Sequence, residues 1–142
     1  MKIIYNKIIP FSGYLAMTIY PFIFARKKLS EIDINHETIH GYQQVEMTLS
    51  SLIIITILGL IFGFSMWYTL LSLTTFYVWY GIEYVVRSIM YSRKNEAYRN
   101  ISFEQEAYIH EGDLTYIYNR KLFSWVKYIT QKTYTYTKPT LY

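Results

Sequence analysis

Residues 47–82, MTLSSLIIITILGLIFGFSMWYTLLSLTTFYVWYGI, decide the fold, because no charged residue falls between Glu46 and Glu83. As a single helix at about 1.5 Å per residue the run would reach roughly 54 Å. A hydrocarbon core is only about 30 Å thick. Two shorter spans fit, turning within 63–68, where Trp67 and Tyr68 suit a membrane interface. Burying such a hairpin in a soluble protein needs a large core, and 142 residues give room for one domain. Composition points the same way: 52% hydrophobic, 20% aromatic and 17% charged, with 17 Tyr. Few soluble domains of this size hide so many rings. The expected class is a mainly α membrane protein.

The net charge of +4 falls in clusters beside the apolar segments, Arg26-Lys27-Lys28 before the run and Arg87, Arg93, Lys94 and Arg99 after it. That distribution reads as topology and anionic lipid, with the bilayer as partner and no nucleic acid. The 63–68 turn carries no charge. Both polar parts are therefore expected on the cytoplasmic face of the inner membrane. No cleavable signal peptide is expected, since Asn6, Lys7 and Pro10 interrupt the first apolar stretch. Residues 8–25, IIPFSGYLAMTIYPFIFA, with Pro10, Gly13 and Pro21, read as a short extended segment or surface hairpin. A proline-broken membrane helix is the competing reading. The expected order is an extended segment over 1–34, a motif helix over 35–46 capped by Asp33 or Asn35, the hairpin over 47–82, a helical part over 83–128 and a tail over 129–142. The alternation of Thr133–Thr137 suits a strand or a loose tail.

The motif is His36-Glu37-Thr38-Ile39-His40. On a helix, residues four apart share a face, so both imidazoles reach one Zn²⁺ while Glu37 points at the open position. There it takes a proton from a water that the metal has acidified and passes it to a leaving amine. Chance produces this pattern in roughly one chain of this composition in 300. The bland reading is a pair of ordinary histidines. With no cysteine in the chain, any metal must be held by His and carboxylate. After the apolar run, the residues able to supply a third ligand are Glu83, Glu96, Glu104, Glu106, His110, Glu111 and Asp113.

NHETIHGYQQ (35–44) followed by SFEQEAYIHE (102–111) resembles the gluzincin order of HExxH and a later E-x-x-A segment. It is similar to membrane metallopeptidases of the prenyl-protein and heat-shock protease type, and to small uncharacterised zincin-like proteins with HExxHxxQQ and ExEA. The resemblance implies zinc held by His36, His40 and Glu104, with Ala107 letting the two helices approach. Glu106 lies about 200° round a helix from Glu104 and is the runner-up; His110 is read as a surface residue or an oxyanion donor. The protease pattern continues with Asp after the Ala, where this chain has Tyr108, so it departs from the pattern at a residue that would orient the site, and the ligands are better supported than peptidase activity.

Three functions follow. One is a cytoplasm-facing zinc metallopeptidase acting on a peptide or membrane-protein segment. A second is a non-catalytic zincin-like membrane subunit that binds a partner. A third, a di-iron carboxylate enzyme, would reuse Glu37-x-x-His40 but needs a second Glu-x-x-His, and Glu106 to His110 is one residue too long.

Overall fold

The computed structural model describes residues 1–11 and 13–131; Thr133–Thr137 lies outside them. The molecule is mainly helical, with one small sheet. Strands β1 (Lys2–Tyr5), β2 (Ala16–Ile19) and β3 (Phe22–Ala25) are ordered β1-β3-β2, with β1 parallel and β2 antiparallel to β3. The N-terminal apolar segment is thus extended. Its inward side chains Ile23 and Ala25 pack with Leu29, Ile3 and Ile34.

Helix α1 (Glu31–Phe62) is one continuous element of 32 residues. It starts four residues before the expected Asn35. Ser30 caps it: its hydroxyl accepts from the Asp33 amide, and the Asp33 carboxylate accepts from the Ser30 amide. This reciprocal pair satisfies two free donors, so the alternating Ile32-Asp33-Ile34 is helical and Asp33 lies inside the helix. Nothing between Glu46 and Met47 interrupts the hydrogen-bond ladder, so motif helix and first hairpin limb are one rod. It ends at Gly63, whose φ of +69° is left-handed and favours glycine.

The return limb is a 3-10 helix (Met66–Thr74) followed by α2 (Thr75–Met90). The Thr75 hydroxyl lies 3.0 Å from that of Ser51 and donates to the Met47 carbonyl, setting the register of the limbs. α2 runs on past the expected end of the hairpin at Ile82. Its charged residues cause no break because they face inward: Glu83 and Arg87 are buried, while Val78, Ile82, Val85 and Ile89 are exposed. That is the reverse of a soluble amphipathic helix.

Short helices α3 (Lys94–Arg99), α4 (Ser102–His110) and α5 (Tyr116–Asn119) and a 3-10 turn (Ser124–Tyr128) complete the described residues. Phe76, Ile101, Phe103 and Trp125 form the core between α2 and α4, with Met47 and Tyr80 against it. α4 has no side-chain cap of its own. Glu83 supplies one from α2, accepting from the Ser102 amide (2.9 Å) and hydroxyl (2.6 Å), and Arg87 neutralises it at 3.0 Å. A carboxylate at a helix N-terminus is favourable, and here it anchors the helix that carries Glu104.

Candidate metal centre

α1 carries His36 and His40 on the face opposed to α4, and α4 brings Glu104 to them. His36 Nε2 lies 3.1 Å from His40 Nε2 and 3.5 Å from Glu104 Oε2; His40 Nε2 lies 3.3 Å from Glu104 Oε1. A tetrahedral ion with bonds of about 2.0–2.1 Å has ligand-to-ligand edges of about 3.3–3.4 Å. The two histidine edges reach different Glu104 oxygens, and one ligand atom from each of the three side chains lies within 4.8 Å of the others, so a short inward movement seats such an ion. Glu37 stands outside the group of three. Its Oε2 accepts from the Thr18 hydroxyl on β2 at 2.7 Å, which holds the carboxylate beside the cluster.

The outer contacts decide which way the imidazoles point. Gln43 Nε2 donates to the Phe103 carbonyl (3.1 Å) and to Glu106 Oε2 (2.9 Å), so its Oε1 must accept. Its partner at 2.8 Å is His40 Nδ1, which therefore carries a hydrogen. His36 Nδ1 donates in the same way to Glu111 Oε2 at 2.8 Å. With both Nδ1 atoms donating outward, the neutral rings aim their Nε2 lone pairs at one another. Glu104 Oε1 accepts from the Tyr80 hydroxyl at 2.8 Å. Oε2, on a side chain only 2% exposed, has no hydrogen-bond partner among the described residues. Two lone pairs and an orphaned carboxylate oxygen converging on one point call for a cation.

Without a metal, protons meet part of that demand. Burial opposes charge on His36, but hydrogen bonds to Glu104 and Glu111 win and raise it to about 10. His40 is likewise raised, burial being outweighed by Glu104. Burial works against ionising Glu104, yet His40 and His36 hold its carboxyl far below the usual carboxylate range. A metal bound here displaces protons from the same lone pairs.

The orienting role that the resemblance gives to an Asp after Ala107 falls to Glu111, one turn further along. Tyr108 packs its ring edge on His36 at 4.8 Å. Asn35, expected as a helix cap, instead donates its side-chain amide to the carbonyls of His110, Glu111 and Asp113. This ties the end of α4 to α1 and sets Glu111 against His36. Gln44 performs the equivalent task for the sheet, donating to the Thr18 carbonyl and accepting from the Tyr20 amide. Replacing Glu111 with Gln should weaken zinc binding about 10–100-fold, measured by competition with a chromogenic chelator. A change under twofold would remove Glu111 from this role.

The other residues weighed as third ligands have different tasks. Glu83 caps α4, and Glu96 pairs with Arg93 at the surface. Asp113 accepts from Thr115 in a turn. His110 lies 3.1 Å from the Tyr128 hydroxyl and stacks on Tyr116, and it lines neither cavity beside the cluster. Glu106, whose bland reading is a solvated carboxylate, is fully buried and bonded to Arg120, Tyr116 and Gln43. No family model, curated protein or solved structure matches the chain.

Proposed function

We propose that this chain is a membrane-inserted zinc metallopeptidase in which His36, His40 and Glu104 hold the ion and Glu37 is the general base. The observation that carries the reading is the convergence of the two Nε2 atoms, 3.1 Å apart, on the Glu104 carboxylate at 3.3 and 3.5 Å, with both Nδ1 atoms committed outward and one carboxylate oxygen left orphaned. Bound zinc would supply Lewis acidity toward a carbonyl and a lowered pKa for water. Glu37, held by Thr18, accepts the proton of the attacking water as the C–O bond forms. It returns that proton to the amine nitrogen as the C–N bond breaks. Tyr98, whose hydroxyl burial and the Glu104 charge push well above its ordinary value, stays protonated as a donor beside the site. Glu37→Gln should retain zinc and lose about 10²–10⁴-fold in hydrolysis of a peptide substrate. Equal turnover by the two proteins would remove Glu37 as base.

Membrane insertion draws support from the outward faces. α1 is long and apolar enough to cross a membrane, and Ile53, Ile57, Leu60, Ile61, Trp67 and Leu70 are all exposed. From His40 to Gly63 the helix extends about 34 Å, close to one hydrocarbon thickness of about 30 Å. With the hairpin tip at the far interface, the metal centre lies at the near one, facing the cytoplasm by the distribution of basic residues. The chain lacks cysteine, so single cysteines report cleanly. Those replacing Glu31 and Asn95 should label from one side of sealed vesicles, and one replacing Ser65 should not. Labelling of the first two from opposite sides would exclude this topology.

A second reading, a non-catalytic zincin-like subunit, draws on one feature. α2 carries its exposed Val85, Val86, Ile89 and Met90 beyond Tyr80, up to about 15 Å past the level of the metal site. That stretch is available to a protein partner. Under this reading Glu37→Gln changes neither the partner complex nor any cellular phenotype.

A further inference from the structure

The triangle of ligand atoms lies between two cavities of unlike character. The larger, about 850 Å³, is lined in part by His36, Asp33, Lys94, Asn95 and Glu111. The smaller, about 450 Å³, adjoins His40 and Glu104 and is walled by Phe11, Met17, Phe76 and Tyr77. Tyr14, Ala16, Glu37 and Tyr98 line both, so the two spaces meet at the proposed base.

Several polar groups of the smaller cavity already have partners. The Thr18 hydroxyl donates to Glu37, and the Thr18 carbonyl accepts from Gln44 and from the Tyr77 hydroxyl. The Gln44 oxygen accepts from Tyr20, and the Tyr80 hydroxyl donates to Glu104. An acidic group entering would leave water and face the Glu37 and Glu104 carboxylates, whereas an apolar group would leave water at a net gain.

Resting on the metallopeptidase reading, we infer that the substrate is an amphiphilic peptide segment. An aromatic or long aliphatic side chain next to the scissile amide fills the Phe11–Met17–Phe76–Tyr77 cavity, and the polar side of the segment lies in the larger one. The volumes suit this division, since about 300–1,000 Å³ is the range of cavities that enclose small ligands. A peptide emerging from the hairpin's membrane face would present this character at the depth of the site.

Hydroxamates, which chelate zinc through two oxygens, test the inference on the zinc-loaded full chain in detergent. Titration calorimetry would compare acetohydroxamate, 3-phenylpropionohydroxamate and succinic monohydroxamate, corrected for partition into the micelle. The phenyl probe should bind about thirty-fold tighter than acetohydroxamate, and the acidic probe no tighter. In Met17→Glu the phenyl advantage should fall below about threefold. Equal binding of phenyl and acidic probes to the wild type overturns the inference while leaving the metal reading intact. So does a phenyl advantage undiminished in a zinc-loaded Met17→Glu. If Met17→Glu does not fold, the wild-type comparison decides alone. Failure of all three probes to bind zinc-loaded protein overturns the open-metal reading, and this inference with it.

Discussion

Protein purified without added metal should carry one equivalent of zinc, and His36→Ala or Glu104→Ala should each lower its affinity by about a hundredfold or more. Structural zinc sites bind with about 10–16 kcal/mol in total, so each of a few ligands carries roughly 3 kcal/mol. Glu104 should have the larger effect. It is the one anion among the three, so removing it also removes the negative charge that faces the cation. Metal analysis by mass spectrometry and competition against a chelator would read both quantities. A metal-free wild type, or an alanine variant with undiminished zinc, would end the metallopeptidase reading. Cobalt substitution adds a check, because a tetrahedral site gives intense visible absorption that loss of one protein ligand would alter.

Arg120→Ala should destabilise the protein by about 3–5 kcal/mol, lowering the melting temperature by roughly 10–15 °C for a chain of this size. Arg120 is buried between two carboxylates. Its Nε donates to Glu106 Oε1 at 2.7 Å, its Nη2 to Glu46 Oε2 at 3.1 Å, and its Nη1 to Glu46 Oε1. Burial opposes its charge, but Glu46 and Glu106 raise its pKa further above the ordinary arginine value. Truncating it strands two buried anions, and that penalty exceeds the worth of the intact pairs. Adding Glu46→Gln and Glu106→Gln to Arg120→Ala should therefore recover part of the loss. Because Glu106 also accepts from Gln43, which orients His40, zinc affinity should fall as well, by about tenfold. Thermal unfolding within 2 °C of wild type would show that the network contributes little.

Local rules account for much of what the residues reveal. The apolar run reads as a hairpin because its length exceeds one span and its turn holds Gly63 and interfacial aromatics. The extended N-terminus follows from β-branched residues and prolines. The helix start does not follow so directly. Asp33 and Asn35 both have capping chemistry, and Ser30 prevails because its hydroxyl and the Asp33 carboxylate satisfy each other's amides. The inward turn of Glu83 and Arg87 is equally hidden, since their spacing only says that they share a helix face. Which face is buried depends on the Ser102 donors nineteen residues away.

By itself, the sequence determined the features that depend on neighbours a few residues apart: two histidines on one helix face, the carboxylate beside them, and a charge-free hairpin behind them. The E-x-x-A resemblance pointed to Glu104 over Glu106, and the tertiary structure supplied the physical reason. Glu104 and Glu106 are chemically identical, and only the docking of α4 on α1 turns one to the histidines and the other to Arg120. The same docking recruits Asn35, Gln43 and Glu111 across 60 to 76 residues of chain. Contacts of that range have no local periodicity, and they exist only once the core between α2 and α4 has closed.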